Sequence, residues 1–366
     1  MTTESKRLMS LDVLRGLDMI YLVASATFLV PLLRWLDVSP GTVEFVANHP
    51  WEGFAAYDII MPLFIFMCGA AVPFALGRRL TDDGRPTREF FRHVASRVAL
   101  LWALGLVAQG RLLEWNWMTW SPFNNTLQTI AAGYLTTALV MCLRPFWARL
   151  AVTAALPVGY AVFMAMGADY GRETNAAVVL EKQVLSVLCP AGSQAFSTNG
   201  YTWFATLPMF GFMCLCGSHA TNVIRSARSV GRKLGTLAAF GGGMLALGLV
   251  AERLGVPCIK HVFTFSFTLQ AMGWCVLLLA FFYLLVDVAG LKRGWGLALL
   301  FGQTSLAAYL LGDVFASIPL HAAKLFASGA VRGCEKGLQS VLVGLVAFAL
   351  VAFALHVWRG HRRRSA

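Results

Sequence analysis

The 366 residues are 58% hydrophobic and only 13% charged, with a mean hydropathy of +0.66; an ordinary soluble domain carries ~25% charge. This balance excludes a disordered chain, a nucleic-acid-binding domain and a cytosolic enzyme of ordinary surface. The net charge of +12 does not restore a nucleic-acid partner, because the basic residues fall in alternate connections, the pattern of membrane orientation.

A helix needs ~20 apolar residues to cross a hydrocarbon core ~30 Å thick. Runs of that kind lie near 16–35, 54–77, 95–112, 126–143, 147–166, 202–218, 234–251, 265–288, 296–319 and 338–358. They predict an all-α polytopic membrane bundle of about ten transmembrane helices, forming one domain over 1–366. No cleavable signal peptide is expected, since the first run is full length and no small-residue cleavage site follows it. The longest gap, 167–201, contains Pro190, Gly192 and Gly200 and reads as an extracytoplasmic loop region. Gly211 and Gly241–Gly243 read as sites of close helix approach.

Placing the N-terminus inside gathers Lys6, Arg7, Arg15, Arg78, Arg79, Arg85, Arg88, Arg92 and Arg97 on the inner side. Arg144, Arg149, Arg225, Arg228, Arg232, Lys233, Lys292, Arg293, Arg359, Arg362, Arg363 and Arg364 join them, making 21 of the 30 basic residues. Both termini are therefore expected in the cytoplasm, with the chain in the cell (inner) membrane. The terminal arginine run reads as a stop signal and lipid-headgroup contact.

An ionisable side chain at a helix centre costs ~2.5–3.5 kcal/mol on insertion scales, so Asp18, Asp58 and Asp313 stand out. Asp12 and Arg15, three apart, would share a helix face, either as a pair or with Arg15 turned to a phosphate. Asp18 reads as a buried hydrogen bond or as chemistry. His49 lies nine residues before Asp58, and a carboxylate near an imidazole is the usual way to hold a general base. Trp115, Trp117 and Trp120 read as an interfacial belt or as a platform for a sugar ring. The eight cysteines show no CxxC or His-rich spacing, which argues against a metal site. Cys189, Cys258 and Cys334 fall outside; Cys189 paired with Cys258 or Cys334 is one expectation, three free thiols the other.

Several segments share an order along the chain. Arg7-Leu8-Met9-Ser10-Leu11-Asp12-Val13-Leu14-Arg15-Gly16 fits an RLxSLDxLRG entry. Trp51-Glu52-Gly53-Phe54, Tyr57-Asp58 and Pro62-Leu63-Phe64-Ile65-Phe66 fit a WxGxxxxDLxFPxFxF block. Leu127-Gln128-Thr129-Ile130 is similar to LQRI, and Thr206-Leu207-Pro208 to TLP. Pro257-Cys258-Ile259-Lys260 with Phe263-Thr264 and Ser266-Phe267 follows PxxKxxWTxSF, and Phe301-Gly302-Gln303-Thr304-Ser305-Leu306 with Tyr309 follows FGxNxLxxY. The set resembles the membrane acyltransferase family that includes heparan-α-glucosaminide N-acetyltransferase and its bacterial DUF5009-type relatives. In three places the chain differs: His49 precedes Trp51 by two positions rather than three, Thr129 replaces Arg, and Phe263 replaces Trp.

The resemblance implies an enzyme that carries an acetyl group from cytosolic acetyl-CoA to an amino-sugar or glycan across the bilayer. It makes His49 catalytic, with Asp58 orienting it or stabilising its charged form. Arg15, Arg78, Arg79 and Arg97, at inner helix ends, are the expected partners of the cofactor phosphates. Trp51 and Glu52 are substrate candidates, and Gln128, Lys260 or Thr264 candidate donors to the developing oxyanion. The expected partners are the acceptor sugar and the lipid bilayer, with no metal and no nucleic acid, and a homodimer is an open assembly state. Two other classes remain: an aminosugar transporter using Asp58 and Asp313 without a cofactor, and a structural or lipid-binding membrane protein.

Overall fold

The structure is a computed structural model and describes residues 8–47, 51–81, 84–108, 123, 125–167, 169–188, 201–327 and 329–364. His49, Trp115, Trp117, Trp120 and Cys189 lie outside the described residues. Among the described residues the regular elements are all helical, with one isolated bridge between Leu80 and Pro86.

Among the described residues, eight helical stretches are long and apolar enough to span a bilayer: Met9–Trp35, Ala56–Arg79, Arg88–Ala108, Phe146–Ala165, Leu207–Arg225, Val230–Arg253, Phe265–Val288 and Lys336–His361. The chain is a multi-pass helical membrane protein. Two of the ten expected runs take a different form. The run near 126 yields a helix of 16 residues, Thr126–Met141. The run near 296 breaks into Gly296–Gln303 and Ser305–Val314, bent by 88°. Thr304 sits at the bend with φ −119° and ψ 27°, outside helical geometry, and its hydroxyl donates to the Leu300 carbonyl at 2.7 Å. The gap read as loop also holds a helix, Ala176–Leu188. Asn175 starts it by accepting from the Val178 amide at 3.0 Å, an ordinary N-cap that its polar surroundings disguised.

The helices used below are α1 (Met9–Ala24), α2 (Val30–Trp35), α3 (Pro40–Ala47), α4 (Ile60–Leu76), α5 (Arg88–Ala108) and α6 (Thr126–Met141). They continue as α7 (Phe146–Ala165), α8 (Ala176–Leu188), α9 (Leu207–Arg225), α10 (Val230–Arg253), α11 (Phe265–Phe282), α12 (Gly296–Gln303), α13 (Ser305–Tyr309), α14 (Ser317–Ala327) and α15 (Lys336–Arg364). The chain forms two compact units. One comprises Met1–His49, Ala55–Ile60 and Leu278–Ala366; the other comprises Pro50–Phe54 and Met61–Leu277.

In the first unit α1 crosses α12 at backbone contact. A Cβ added at Gly16 would lie 1.7 Å from the Ala298 oxygen, and one at Gly302 1.9 Å from the Asp12 oxygen. Lacking a lipid-tail hydrophobic drive, membrane helices associate by such close packing. Leu8 offers α1 no side-chain cap; instead the Met9 and Ser10 amides donate to Asp287 at 3.3 and 3.2 Å. A carboxylate from the far end of the sequence thus meets the positive end of the helix. Between α1 and α2 the chain makes a π-turn, Ser25–Leu29, where Phe28 packs edge-on against Phe348 of α15 at 5.5 Å.

The second unit repeats the device. Gly69 of α4 and Gly217 of α9 face the backbones of Cys214 and Phe66, and added Cβ atoms would come within 1.8 and 1.9 Å of their oxygens. The Thr221 hydroxyl donates to the Ala70 carbonyl at 2.9 Å, fixing the same crossing. Gly211 meets Thr136 and Gly241 meets the Gly273 oxygen, whereas Gly242 and Gly243 have open space.

Candidate functional site

The connection between α10 and α11 is a tight turn closed by its own polar side chains. Phe263 takes a left-handed φ of 45°, rare for a bulky residue. The Thr264 hydroxyl accepts from the Ile259 amide at 3.0 Å and donates to the Pro257 carbonyl at 2.8 Å; Ser266 donates to the same carbonyl at 2.8 Å. Thr264, expected as an oxyanion donor, therefore serves to shape the turn. Lys260 is buried on it.

Three distant segments dock on this turn. The Gly53 amide donates to the Cys258 carbonyl at 2.8 Å, and the Thr202 amide to the His261 carbonyl at 3.1 Å. The Tyr160 hydroxyl donates to the Val262 carbonyl at 2.7 Å. The backbone on both sides of His261 is thereby held from three directions.

Two aromatic rings pack against the His261 ring. Trp51 stacks on it with centroids 5.1 Å apart and planes 20° from parallel; Tyr201 lies 4.5 Å away at 34°. The Trp51 indole N–H donates to the Tyr170 carbonyl at 3.1 Å, and the Arg172 guanidinium lies over the indole at 5.9 Å. Glu52, next to Trp51, is exposed. The sequence reading missed His261 because it sits at a variable position of the PxxKxxWTxSF stretch and has no local partner.

Glu181 on α8 was missed as well. Its carboxylate accepts from the Trp203 amide at 2.8 Å, from Phe204 at 3.0 Å and from Ala205 at 3.3 Å, just before α9 begins. Burial pushes its pKa up to about 7, partly offset by these amide donors. Asp169 is solvent-facing, and hydrogen bonds from the Thr174 hydroxyl and the Gly171 amide hold its carboxyl below the usual range.

Asp58 is fully buried in the first unit and has a structural task. It accepts from the Ala55 amide at 2.7 Å, capping the 3₁₀ turn Ala56–Ile59 that leads into α4. In the same unit the Tyr21 hydroxyl donates to the Val46 carbonyl at 2.8 Å, and its ring meets Tyr57 edge-on at 6.3 Å.

At the opposite end of α4, Arg78 and Arg79 line a cavity of about 390 Å³ with Phe74, Ala75 and Glu89. Arg79 pairs with Glu89 at 3.3 Å. Arg225 at the end of α9 donates to the Pro73 carbonyl at 2.9 Å and lies over the Phe74 ring. The other expected phosphate partners are placed differently. Arg97 stands within α5 with its guanidinium over the Tyr134 ring at 4.9 Å; Arg15 belongs to α1 in the first unit. Gln128 is buried in the first turn of α6, where Asn125 caps the helix and also donates to the Gly105 carbonyl at 2.8 Å. Among the described residues the cysteines form no disulfide.

Residues 7–206 match a family described as "Domain of unknown function (DUF5009)". The chain belongs to the DUF5009 family. No curated protein matches it. The DUF5009 match includes Trp51, Asp58, Arg78, Arg79, Tyr201 and Glu181, while the turn carrying Lys260 and His261 lies beyond it.

Proposed function

We propose that this protein is a transmembrane acetyltransferase moving an acetyl group from cytosolic acetyl-CoA to an amino-sugar or glycan outside, in the manner of the heparan-α-glucosaminide N-acetyltransferase family. The observation that carries the reading is the contact between the Gly53 amide and the Cys258 carbonyl. It joins two motif blocks some two hundred residues apart, as a shared catalytic centre requires. His49, which the resemblance makes catalytic, lies two residues before Trp51, and Asp58 holds the approach to α4.

The expected sidedness has physical support. Trp51, Tyr170, Tyr201 and His261 meet at one end of the second unit, whereas Arg225 meets Pro73 at the inner ends of α9 and α4. That pairing of connections requires α5 and α6 to cross together, in keeping with ten crossings; the 21 basic residues gathered on one side favour both termini in the cytoplasm of an inner membrane. The Arg78–Arg79 cavity then opens inward, and its guanidinium groups suit the phosphates of the acyl donor. Incubating the purified protein with labelled acetyl-CoA and a panel of amino-sugars tests the reading; labelled N-acetyl product is expected.

A second reading, an aminosugar transporter, is favoured by one feature. Gly296–Gln303 and Ser305–Val314 form a helix broken by 88° with Asp313 in its second half, and discontinuous helices hold substrates in transporters. Proteoliposome uptake without acetyl-CoA would select it.

A further inference from the structure

We propose that His261 is the group that takes the proton from the acceptor nitrogen during acetyl transfer; this rests on the acetyltransferase reading above. The side chain is half-buried, with Nδ1 inside the protein. Trp51 stacks on the ring at 5.1 Å, and Tyr201 lies tilted against it at 4.5 Å. With a face taken by the indole, chemistry is left to the ring edge, where the nitrogen lone pair lies in the ring plane. Fixing the plane therefore fixes the direction of proton transfer, the geometric requirement for a general base. The stacked Trp51 face stabilises the imidazolium that forms, through attraction of a cation to the ring quadrupole.

The backbone supports this use. Residues 261 and 262 are anchored through both carbonyls, by the Thr202 amide and the Tyr160 hydroxyl, and the next residue is held at a φ of 45°. Strained, over-determined backbone of this kind gathers at functional sites.

The step balances as follows. The acceptor nitrogen forms a bond to the acetyl carbonyl carbon and passes one proton to a ring nitrogen of His261. The carbon–sulfur bond of the thioester breaks, and its electron pair leaves on the coenzyme sulfur. The proton then returns to solvent or to that thiolate.

The test uses full-length protein in nanodiscs, acetyl-CoA and two acceptors, glucosamine and hydroxylamine, with thiol release and acetylated product followed above the protein-free rate. Hydroxylamine is already neutral near pH 7 and strongly nucleophilic, so it depends little on a base. His261→Gln and His261→Phe, the second keeping the stack, should lose glucosamine transfer by ~10²–10⁴-fold while retaining hydroxylamine transfer. Added imidazole should restore part of the glucosamine rate. Wild-type glucosamine rates in His261→Phe would overturn the proposal with acetyl transfer intact. Equal loss with both acceptors would also overturn it, marking His261 as structural. A wild-type protein that transfers to neither acceptor would remove the acetyltransferase reading, and this proposal with it.

Discussion

The Trp51 indole lies almost parallel to the His261 imidazole at 5.1 Å, and this contact joins the connection before α4 to the connection before α11. Trp51 is itself clamped, by its hydrogen bond to Tyr170 and by Arg172 over its ring. Trp51→Ala should therefore free the imidazole and lower acetyl transfer at least tenfold, while Trp51→Phe, which preserves a face, should retain most activity. Rates measured beside size-exclusion profiles check this; an active Trp51→Ala would show that the stack is packing alone.

The crossing of α4 and α9 leaves no room for a side chain at Gly69 or Gly217, where an added Cβ would press on backbone oxygens. Backbone cannot rotate aside as a side-chain tip can. Gly69→Ala and Gly217→Ala should cost at least the ~1–3 kcal/mol of an overpacked core and reduce monodisperse yield. Gly242→Ala and Gly243→Ala, facing open space, should behave as wild type, although the sequence marked these two, and not Gly69 or Gly217, as sites of close approach.

That contrast shows what the sequence discloses. Apolar run length reports the spans, because bilayer thickness fixes it, and every predicted run contains a helix. The break at Thr304 and the helix at Ala176–Leu188 were hidden: the first is a local backbone departure inside an apolar run, the second is short and partly polar. For the site, motif spacing singled out Trp51, Lys260 and Thr264, which the fold places on or against one turn. It could not find His261, Tyr201 or Glu181, whose significance arises only when segments far apart in the chain meet. Asp58 was legible as a costly buried charge, but its capping of Ala56–Ile59 was not.

Because Asp58 accepts from the Ala55 amide at 2.7 Å, its substitutions should separate structure from charge. Asp58→Asn keeps an acceptor oxygen and should preserve folding while lowering acetyl transfer, since an amide stabilises an imidazolium less well. Asp58→Ala removes the cap and should lose ~0.5–2 kcal/mol of stability as well. Thermal midpoints and transfer rates of both variants check this; full activity in Asp58→Asn would confine the residue to capping.

Topology follows from the basic residues and from which connections meet. Reporter fusions after Arg79 and Arg232 are expected to read cytoplasmic, and one after Trp117 external. The decisive fusion is the one after Arg144, because Thr126–Met141 has only 16 residues. It should read cytoplasmic if α6 crosses. An external signal there would remove α6 as a span and put the two ends of the second unit on other sides than proposed.

Glu181 gives the fold a dependence on pH. Its folded-state pKa, pushed up to about 7 by burial and partly offset by the Trp203, Ala205 and Phe204 amides, stands above the ordinary value of 4.5. Between those two values the folded protein holds a proton that the unfolded chain has released. Stability is therefore fully present below about pH 4.5 and is lost as pH rises through about 7, by on the order of 3 kcal/mol. The segment at stake is 203–205, which carries Trp203 and leads into α9. Wild-type thermal midpoints in detergent should fall from pH 5 to pH 8, and Glu181→Gln, which cannot titrate, should flatten that slope. A wild-type midpoint as high at pH 8 as at pH 5, or an unchanged slope in Glu181→Gln, would show that the carboxylate is ionised in the fold without penalty.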